Sequence, residues 1–224
     1  MSWALLESAT ENDAFLELYG KDGTFMIRAN GRELMNGYCH DSEVALGNAA
    51  ARLAPGDQPR VLVGGLGLGY TAAAVRTSLQ GRGTITVAEL SSAVIDWFHR
   101  YTAQSLLSDP DQSDPDAGIE IVHANIADLM TVADRYDVVV MDVDNGPEPL
   151  VTATNAALYS SHGLSMLHAC LSPNGVALIW SGFESPAFAT RAKEAGFTVA
   201  CEQFQRERAE LAHFIYVLRK GRVD

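Results

Sequence analysis

Basic residues are scarce in this chain. Its 224 residues include 16 Lys and Arg against 28 Asp and Glu, which gives a formal net charge of −12. The closest approach to a basic cluster, Arg219-Lys220-Gly221-Arg222, lies at the end of the chain. Because a nucleic-acid binder needs a basic surface to pair phosphates, we expect no nucleic-acid partner. An acidic pocket favours small cationic molecules, although solubility alone also accounts for such a charge.

Cysteines and long apolar runs are scarce too. Cys39, Cys170 and Cys201 form no C-x-x-C pair, so we expect reduced thiols, a cytoplasmic location and no metal site. Cys170 and Cys201 lie in apolar segments and are predicted to be buried. No apolar run approaches about 18 residues, so no membrane span is expected. The acidic start MSWALLESATEND does not resemble a signal peptide.

Glycines, in contrast, are concentrated in the stretch RVLVGGLGLGY, residues 60–70. A short apolar strand runs into four glycines and then into helix formers; the glycines are Gly64, Gly65, Gly67 and Gly69. Strand, glycine turn and helix form the nucleotide pocket in the first βα unit of a doubly wound sheet. The spacing G-x-G-x-G favours an adenosyl ligand without a pyrophosphate over NAD. A tight turn without a ligand is the alternative interpretation.

An acid follows the second predicted strand, Ile85–Ala88. Glu89 lies about 20 residues beyond the glycines, where a carboxylate hydrogen-bonds ribose hydroxyls. The glycine turn and this acid together predict a nucleoside site.

Residues 1–54 are predicted to form a small antiparallel meander and a helix. Its strands and turns are Phe15–Tyr19, a turn at 20–23, Thr24–Arg28, a turn at Asn30–Gly31, and Arg32–Met35. The helix is expected to begin with Asp41 or Ser42 as its N-cap and to end before Pro55.

Residues 55–224 alternate strands and helices, which predicts a parallel sheet. After Glu89 the predicted strands are Ile119–His123, Tyr136–Met141, Val176–Trp180, and a final antiparallel pair, Phe197–Gln203 and Ala212–Leu218. The predicted helices are Ser91–Ser105, Asn125–Ala133, Asn155–Leu171 and one from Glu184 to Gly196. Trp180 and the acids after Met141 are expected at the carboxyl rim of the sheet, where carboxylates and an aromatic face stabilise cations.

Several stretches resemble a known family: the hairpins before residue 42, GGLGLGY, AELSSAVIDW, YDVVVMDVDNGP and LYSSHGLSMLHACLSPNGVALIW. The chain resembles the spermidine synthases, which are aminopropyltransferases. The resemblance implies an α/β fold with a Rossmann-like class I methyltransferase sheet behind a small N-terminal β-meander. It also implies a small cationic amine as substrate and an assembly of two or four copies, of which we expect the homodimer.

The resemblance implies a donor, decarboxylated S-adenosylmethionine or S-adenosylmethionine, and a set of residues that bind it. The implied adenosyl-binding residues are Gly64, Gly65, Gly67, Gly69, Glu89, Asn125 and Ile126. Asp142 matches the first aspartate of the family's D-S-T/S-D loop, whereas the second falls on Asn145, with Asp144 one residue earlier. Asp142 and Asp144 are the predicted catalytic residues: Asp142 orients the donor, and Asp144 accepts or relays the proton of the amine. For Asp142 the alternative is an acid that caps a loop N–H.

The substrate end departs more from the family's pattern than the adenosyl end. The family's glycine run contains an aspartate that GGLGLG lacks, and Ser91 stands where the strand-two motif E-x-D has its second acid. Two other activities therefore stay open. They are methyl transfer from S-adenosylmethionine to a small molecule, and non-catalytic binding of an adenosyl compound.

Overall fold

Two β-sheets organise the chain. The structure is a computed structural model that describes residues 2–11, 14–107, 118–143, 146–147, 153–204 and 212–221. A four-stranded sheet comes first, and a seven-stranded sheet with helices on its faces follows. The predicted α/β class, a Rossmann-like sheet behind a small N-terminal β-meander, is confirmed. The proposed division at residues 54 and 55 stays a prediction.

The four-stranded sheet is an antiparallel meander in chain order. Its strands are β1 (Ala4–Glu11), β2 (Ala14–Lys21), β3 (Thr24–Ala29) and β4 (Arg32–Asn36). Asn30 and Gly31 both have positive φ angles, 50° and 76°, as the predicted hairpin turn requires. Strand β1 was not predicted, because it is an edge strand with mostly exposed side chains and its sequence does not alternate.

The seven-stranded sheet has the order β10-β11-β9-β8-β5-β6-β7. Its strands are β5 (Arg60–Gly64), β6 (Thr84–Glu89), β7 (Ile119–His123), β8 (Tyr136–Met141), β9 (Leu171–Ser181), β10 (Phe197–Phe204) and β11 (His213–Lys220). Strands β5 to β9 pair in parallel, and β11 pairs antiparallel with β9 and β10. The predicted strands and the antiparallel final pair are therefore confirmed.

Eight α-helices connect the described strands. They are α1 (Asp41–Leu53), α2 (Tyr70–Leu79), α3 (Ser92–Trp97), α4 (Ala103–Leu107), α5 (Ile126–Leu129), α6 (Ala153–Ala156), α7 (Ser161–Cys170) and α8 (Pro186–Glu194). A π-helical turn, Phe98–Thr102, joins α3 to α4, and a 3₁₀ turn, Ala157–Tyr159, joins α6 to α7. None of the helices in the described ranges is long and apolar enough to cross a membrane.

The start of α1 differs from its prediction. Its N-cap is His40, not Asp41 or Ser42, and no side chain accepts a capping hydrogen bond there. Asp41 and Ser42 already belong to the first turn. The hydroxyl of Ser42 donates to Glu43 rather than accepting from the backbone.

Two other predicted helices are shorter than expected. The one predicted over 155–171 is interrupted at Ser160, which is extended (φ −70°, ψ 166°) and accepts a hydrogen bond from Gly163 N to start α7. The one predicted over 125–133 ends at Leu129. The β-branched residues Thr131 and Val132 follow, and such residues propagate a helix poorly.

None of the three cysteines, all of which lie in the described ranges, forms a disulfide. Cys170 is buried at the end of α7, as predicted. The prediction for Cys201 is wrong: Cys201 is exposed, because β10 is the edge strand of the large sheet.

Glu11, the last residue of β1, fastens the small sheet to the start of α3. Its carboxylate accepts hydrogen bonds from Ser92 Oγ at 2.5 Å, Ser91 Oγ at 2.7 Å and Ala93 N at 3.3 Å. The two hydroxyls hold the pKa of Glu11 below its usual value. Ser91 Oγ in turn accepts from Val94 N at 3.1 Å and caps the helix. Ser91 is thus the local cap of α3, and Glu11 from the distant strand β1 supports this cap through hydrogen bonds.

Glu11→Ala removes the acceptor of these three bonds. We expect the free energy of unfolding, measured by urea denaturation, to fall by about 1.5–3 kcal/mol, the range for a hydrogen bond to a charged group. Glu17→Ala is the matched control. In the described residues, the side chain of Glu17 is shown to accept one hydrogen bond, which comes from Tyr19 in the same strand. A loss of stability as large for Glu17→Ala as for Glu11→Ala would contradict the role of Glu11.

Candidate active site

The loop between β5 and α2 contains three glycines with positive φ. The φ angles of Gly65, Gly67 and Gly69 are 89°, 52° and 93°. A Cβ at residue 65 would lie 2.3 Å from the carbonyl oxygen of Asp142, and a Cβ at residue 69 would lie 2.3 Å from the ring of Phe98. The loop therefore requires glycine both for its dihedral angles and for its close packing against β8 and the π-helical turn.

A cavity of about 300 Å³ lies between this loop and the N-terminal sheet. Ligands of open α/β sheets bind in this place, outside the carboxyl ends of the parallel strands. The predicted site residues that line the cavity are Gly65, Gly67, Glu89, Asn125, Ile126 and Asp142. Gly64 and Gly69 flank the loop but do not line the cavity, and Asp144 lies outside the described residues.

Glu89 ends β6 and holds the glycine loop. Its Oε2 accepts a hydrogen bond from Leu66 N at 2.9 Å, and its Oε1 accepts one from Ser91 N at 2.9 Å. An ionised carboxylate can accept about four hydrogen bonds, so both oxygens keep capacity for ligand hydroxyls. Glu89 therefore joins the loop to the start of α3 while it faces the cavity.

Asn125 and Ile126 follow β7 at the same rim. The side-chain oxygen of Asn125 accepts from Ala127 N at 3.0 Å and caps α5. A second lone pair on this oxygen stays available to a donor such as an adenine amino group. Ile126 packs against the backbone of Gly64, where a Cβ would lie 2.4 Å from Ile126 Cδ1.

Asp142 follows β8, next to the glycine loop. Its backbone N donates to Gly64 O at 3.0 Å, and its Oδ2 accepts from Thr71 Oγ1 at 2.5 Å. Burial and the negative charge of Glu43 raise the pKa of Asp142 to about 7, against the opposing effect of the Thr71 bond. Asp142 can therefore exchange a proton near neutral pH.

Two further acids line the cavity that the sequence did not predict. Glu43 comes from the first turn of α1, and Glu11 comes from the end of β1. Neither belongs to a sequence motif, and only the packing of the N-terminal part against the large sheet brings them here. With Glu89 and Asp142 they make four carboxylates, and no Lys, Arg or His is present among the described lining residues.

The N-terminal sheet supplies the apolar wall of the cavity. Leu16, Ile27, Leu34 and Met35 face it from strands β2, β3 and β4. The sulfur of Met35 accepts a hydrogen bond from Leu68 N at 2.9 Å, and it lies 2.5 Å from where a Cβ on residue 67 would be. Met35 thus fills the space beside the glycine loop that a side chain at position 67 would need.

Trp180 lies near the end of β9 and also lines the cavity. This position agrees with the prediction that Trp180 lies at the carboxyl rim of the sheet. Its indole Nε1 is buried, and no acceptor for it is present in the part of the chain that the structure describes. The ring of His213 packs edge-on against it, with the ring centroids 5.0 Å apart. A buried donor without an acceptor is costly, so a ligand that supplies one would be favoured here.

No protein-family model and no curated protein matches the sequence. Solved structures match the fold. Spermidine synthase from Thermotoga maritima has a TM-score of 0.71 at 17% identity, over 97% of this chain and 73% of that chain. A spermidine synthase in complex with the transition-state analogue AdoDATO has a TM-score of 0.74 at 16% identity, over 97% and 74%. A probable spermidine synthase from Corynebacterium glutamicum ATCC 13032 has a TM-score of 0.67 at 14% identity, over 97% and 79%. The chain therefore has a spermidine synthase-like fold, as its sequence predicts.

Asp142→Asn should change stability in a pH-dependent way. Because folding raises the pKa of Asp142 from 3.8 to about 7, the stability that this group contributes is present at low pH and is lost as the pH rises through about 7. We expect Asp142→Asn to raise the melting temperature above the wild-type value at about pH 8, and to change it little at about pH 4. Thermal unfolding across this range measures the difference.

Asp137→Asn is the matched control with the opposite sign. Burial alone would raise the pKa of Asp137, but hydrogen bonds from the side chain and backbone of Arg60 outweigh burial and lower it. Asp137→Asn should therefore destabilise the protein at neutral pH, and the loss should shrink as the pH falls below the usual carboxyl range. The same pH dependence in both variants would contradict the environment assigned to Asp142.

Proposed function

We propose that this chain is an aminopropyltransferase that uses decarboxylated S-adenosylmethionine as donor and a small cationic amine, such as a polyamine, as acceptor. The observation that supports this most is the charge of the cavity. Four carboxylates face it, and the described lining residues include no basic side chain. The fold match to spermidine synthases, one of them bound to the transition-state analogue AdoDATO, supports the same reaction.

The charge of the cavity favours the decarboxylated donor. S-adenosylmethionine brings a carboxylate, which would lie near several acids without a basic partner. Two like charges about 4 Å apart repel by about 4 kcal/mol at an effective dielectric constant near 20. Removal of the carboxylate leaves a sulfonium and an ammonium, and both are cations that the acids attract.

The adenosyl group is proposed to occupy the end of the cavity beside β6 and β7. There Glu89 would accept from the ribose hydroxyls, and Asn125 would accept from the adenine amino group. The ring would pack against Ile126, and the glycine loop would let it approach the backbone. The sulfonium would then point toward Asp142 and Trp180, where a carboxylate and an aromatic ring stabilise a cation.

The reaction is an in-line displacement. The free amine attacks the carbon beside the sulfonium, the carbon–sulfur bond breaks, and its electron pair stays on sulfur to give methylthioadenosine. An alkylamine has a pKa near ~10.4 and arrives protonated, so it must lose a proton before it attacks. The sequence predicts this role for Asp144 and the orientation of the donor for Asp142, but a pKa of about 7 suits Asp142 to accept or relay the proton as well. Such general-base help contributes about 10²–10⁴-fold. Asp144 stays a prediction for the same role.

A methyltransferase that acts on a small molecule is the second candidate. The glycine loop GGLGLG carries no acid, and Met35 packs where a side chain of residue 67 would lie. The donor end therefore lacks a carboxylate that the aminopropyltransferase pattern places in this loop.

We further propose that the protein acts as a cytoplasmic homodimer with no nucleic-acid or membrane partner. Large apolar side chains are exposed on the N-terminal sheet and just after it, which favours a protein contact there; they are Leu5, Leu6, Phe15, Leu34 and Tyr38.

Donor use tests the proposed activity. With putrescine as acceptor, decarboxylated S-adenosylmethionine should give spermidine and methylthioadenosine, detected by mass spectrometry. Consumption of S-adenosylmethionine with an acceptor, but no spermidine from the decarboxylated donor, would support the methyltransferase instead. If neither donor binds in calorimetry, both activities are wrong.

Glu89→Ala tests the position of the ribose. We expect the affinity for methylthioadenosine to fall at least about tenfold, which corresponds to about 1.4 kcal/mol, because the acceptor for the ribose hydroxyls is lost. Calorimetric titration of methylthioadenosine measures this affinity. The matched control is Glu120→Ala on the neighbouring strand β7, since Glu120 does not line the cavity. Equal affinities in wild type and Glu89→Ala would remove the ribose assignment.

A further inference from the structure

Helix α1 brings a second carboxylate to Asp142. Glu43, in its first turn, lines the same cavity as Asp142. The negative charge of Glu43 adds to burial in raising the pKa of Asp142, and it does the same for the half-buried Tyr70 at the start of α2. Glu43 is therefore close enough to act electrostatically on both β8 and α2.

The position of Glu43 is fixed from within its own helix. The hydroxyl of Ser42, which is buried, donates to Oε2 of Glu43 at 2.6 Å. A Ser at a helix start commonly caps the backbone, but here its hydrogen bond orients a carboxylate instead. Because a hydroxyl is neutral, this bond orients Glu43 without neutralising its charge.

The described residues place no basic side chain beside these two acids in the cavity. The ion pairs that the structure shows lie elsewhere; they are Arg60–Asp137, Arg100–Glu7 and Lys220–Asp134. A cation that enters with a ligand would relieve the repulsion between Glu43 and Asp142.

Trp180 gives an independent indication that this cavity receives a ligand. Its buried Nε1 has no acceptor in the described part of the chain, and the residue lines the same cavity. The indole is also the aromatic ring that attracts cations best. The ring face and the two acids would therefore attract a cation, whereas Nε1 needs an acceptor, which an ammonium lacks and another polar group of the ligand would have to supply.

We propose that Glu43 and Asp142 together hold one ammonium group of the acceptor amine, with Glu43 as the positioning residue. The inference rests on the proposed function, since it specifies how the acceptor is bound in that cavity. An alkylammonium has three N–H donors, so it can bridge two carboxylates and keep one donor free. When Asp142 takes up a proton, Glu43 still holds the amine.

Release of a proton follows from this arrangement. The groups that act on Asp142 are Glu43 from α1 and Thr71 from α2, while Glu89 and Glu11 line the same cavity. Burial and Glu43 make Asp142 partly protonated near pH 7. A bound ammonium favours the ionised form, so binding of the amine should expel part of a proton at this pH.

The experiment is calorimetric titration of putrescine into protein saturated with methylthioadenosine, in buffers with different ionisation enthalpies at about pH 7. We expect Glu43→Gln to weaken putrescine at least tenfold and to reduce proton release, with methylthioadenosine affinity unchanged. Glu43→Asp, which keeps the charge, should recover most of the affinity. Asp41→Asn is the matched control: Asp41 lies in the same first turn, is exposed and does not line the cavity, so we expect less than a twofold change.

The outcomes separate the two proposals. If wild-type protein does not bind methylthioadenosine, the proposed function fails. If it binds methylthioadenosine but putrescine affinity and proton release are the same in Glu43→Gln and wild type, only the role of Glu43 is wrong. A loss in Glu43→Asp as large as in Glu43→Gln, or an equal loss in Asp41→Asn, overturns it as well, because the charge at position 43 would not be the cause.

Discussion

Backbone contact between the glycine loop and the end of β8 is the constraint on which the candidate site depends. The backbone N of Asp142 donates a hydrogen bond to Gly64 O. The carbonyl oxygen of Asp142 lies 2.3 Å from the point that a Cβ on residue 65 would occupy. This contact places the Asp142 carboxylate beside Thr71 at the start of α2. A side chain at residue 65 would push the loop away from the end of β8 and displace Asp142, whose pKa is raised to about 7.

The second requirement is the N-terminal sheet, which closes the cavity. Its strands contribute an apolar wall, while Glu11 fastens β1 to α3 and Met35 fastens β4 to the glycine loop. The small sheet also shares a hydrophobic core with the large one, through Leu18 and Ile27. Because both sheets line the cavity, acids from distant parts of the chain share it, and no basic side chain accompanies them in the part of the chain that the structure describes.

Local sequence patterns predicted most of the fold. Strands β2 to β11 follow from alternating or continuous apolar runs between turn residues, and β5 and β6 end at the glycines and at Glu89. Strand β1 is an exposed edge and shows no such pattern. The break at Ser160 was missed because Ser also occurs within helices, and only the hydrogen bond to Gly163 shows that Ser160 starts a new one.

The site was predictable where its residues end strands of the parallel sheet. Glu89, Asn125 and Asp142 are of this kind, and the structure brings them to one cavity. Glu11 and Glu43 are not, because their approach depends on how the meander and α1 pack on the sheet. Ser91 and Glu11 are 80 residues apart in the chain, and no local signal links residues at such a separation.

The wall formed by Leu34 and Met35 lies on a hairpin that does not belong to the parallel sheet. The width of the cavity opposite the parallel sheet is therefore set in part by side chains of a separate element. Exchange of Leu34 would change this wall of the cavity, whereas exchange of Met35 would also remove its hydrogen bond with Leu68 N in the glycine loop. Leu34 can therefore vary the size of the cavity independently of the glycine loop, whereas Met35 couples the two.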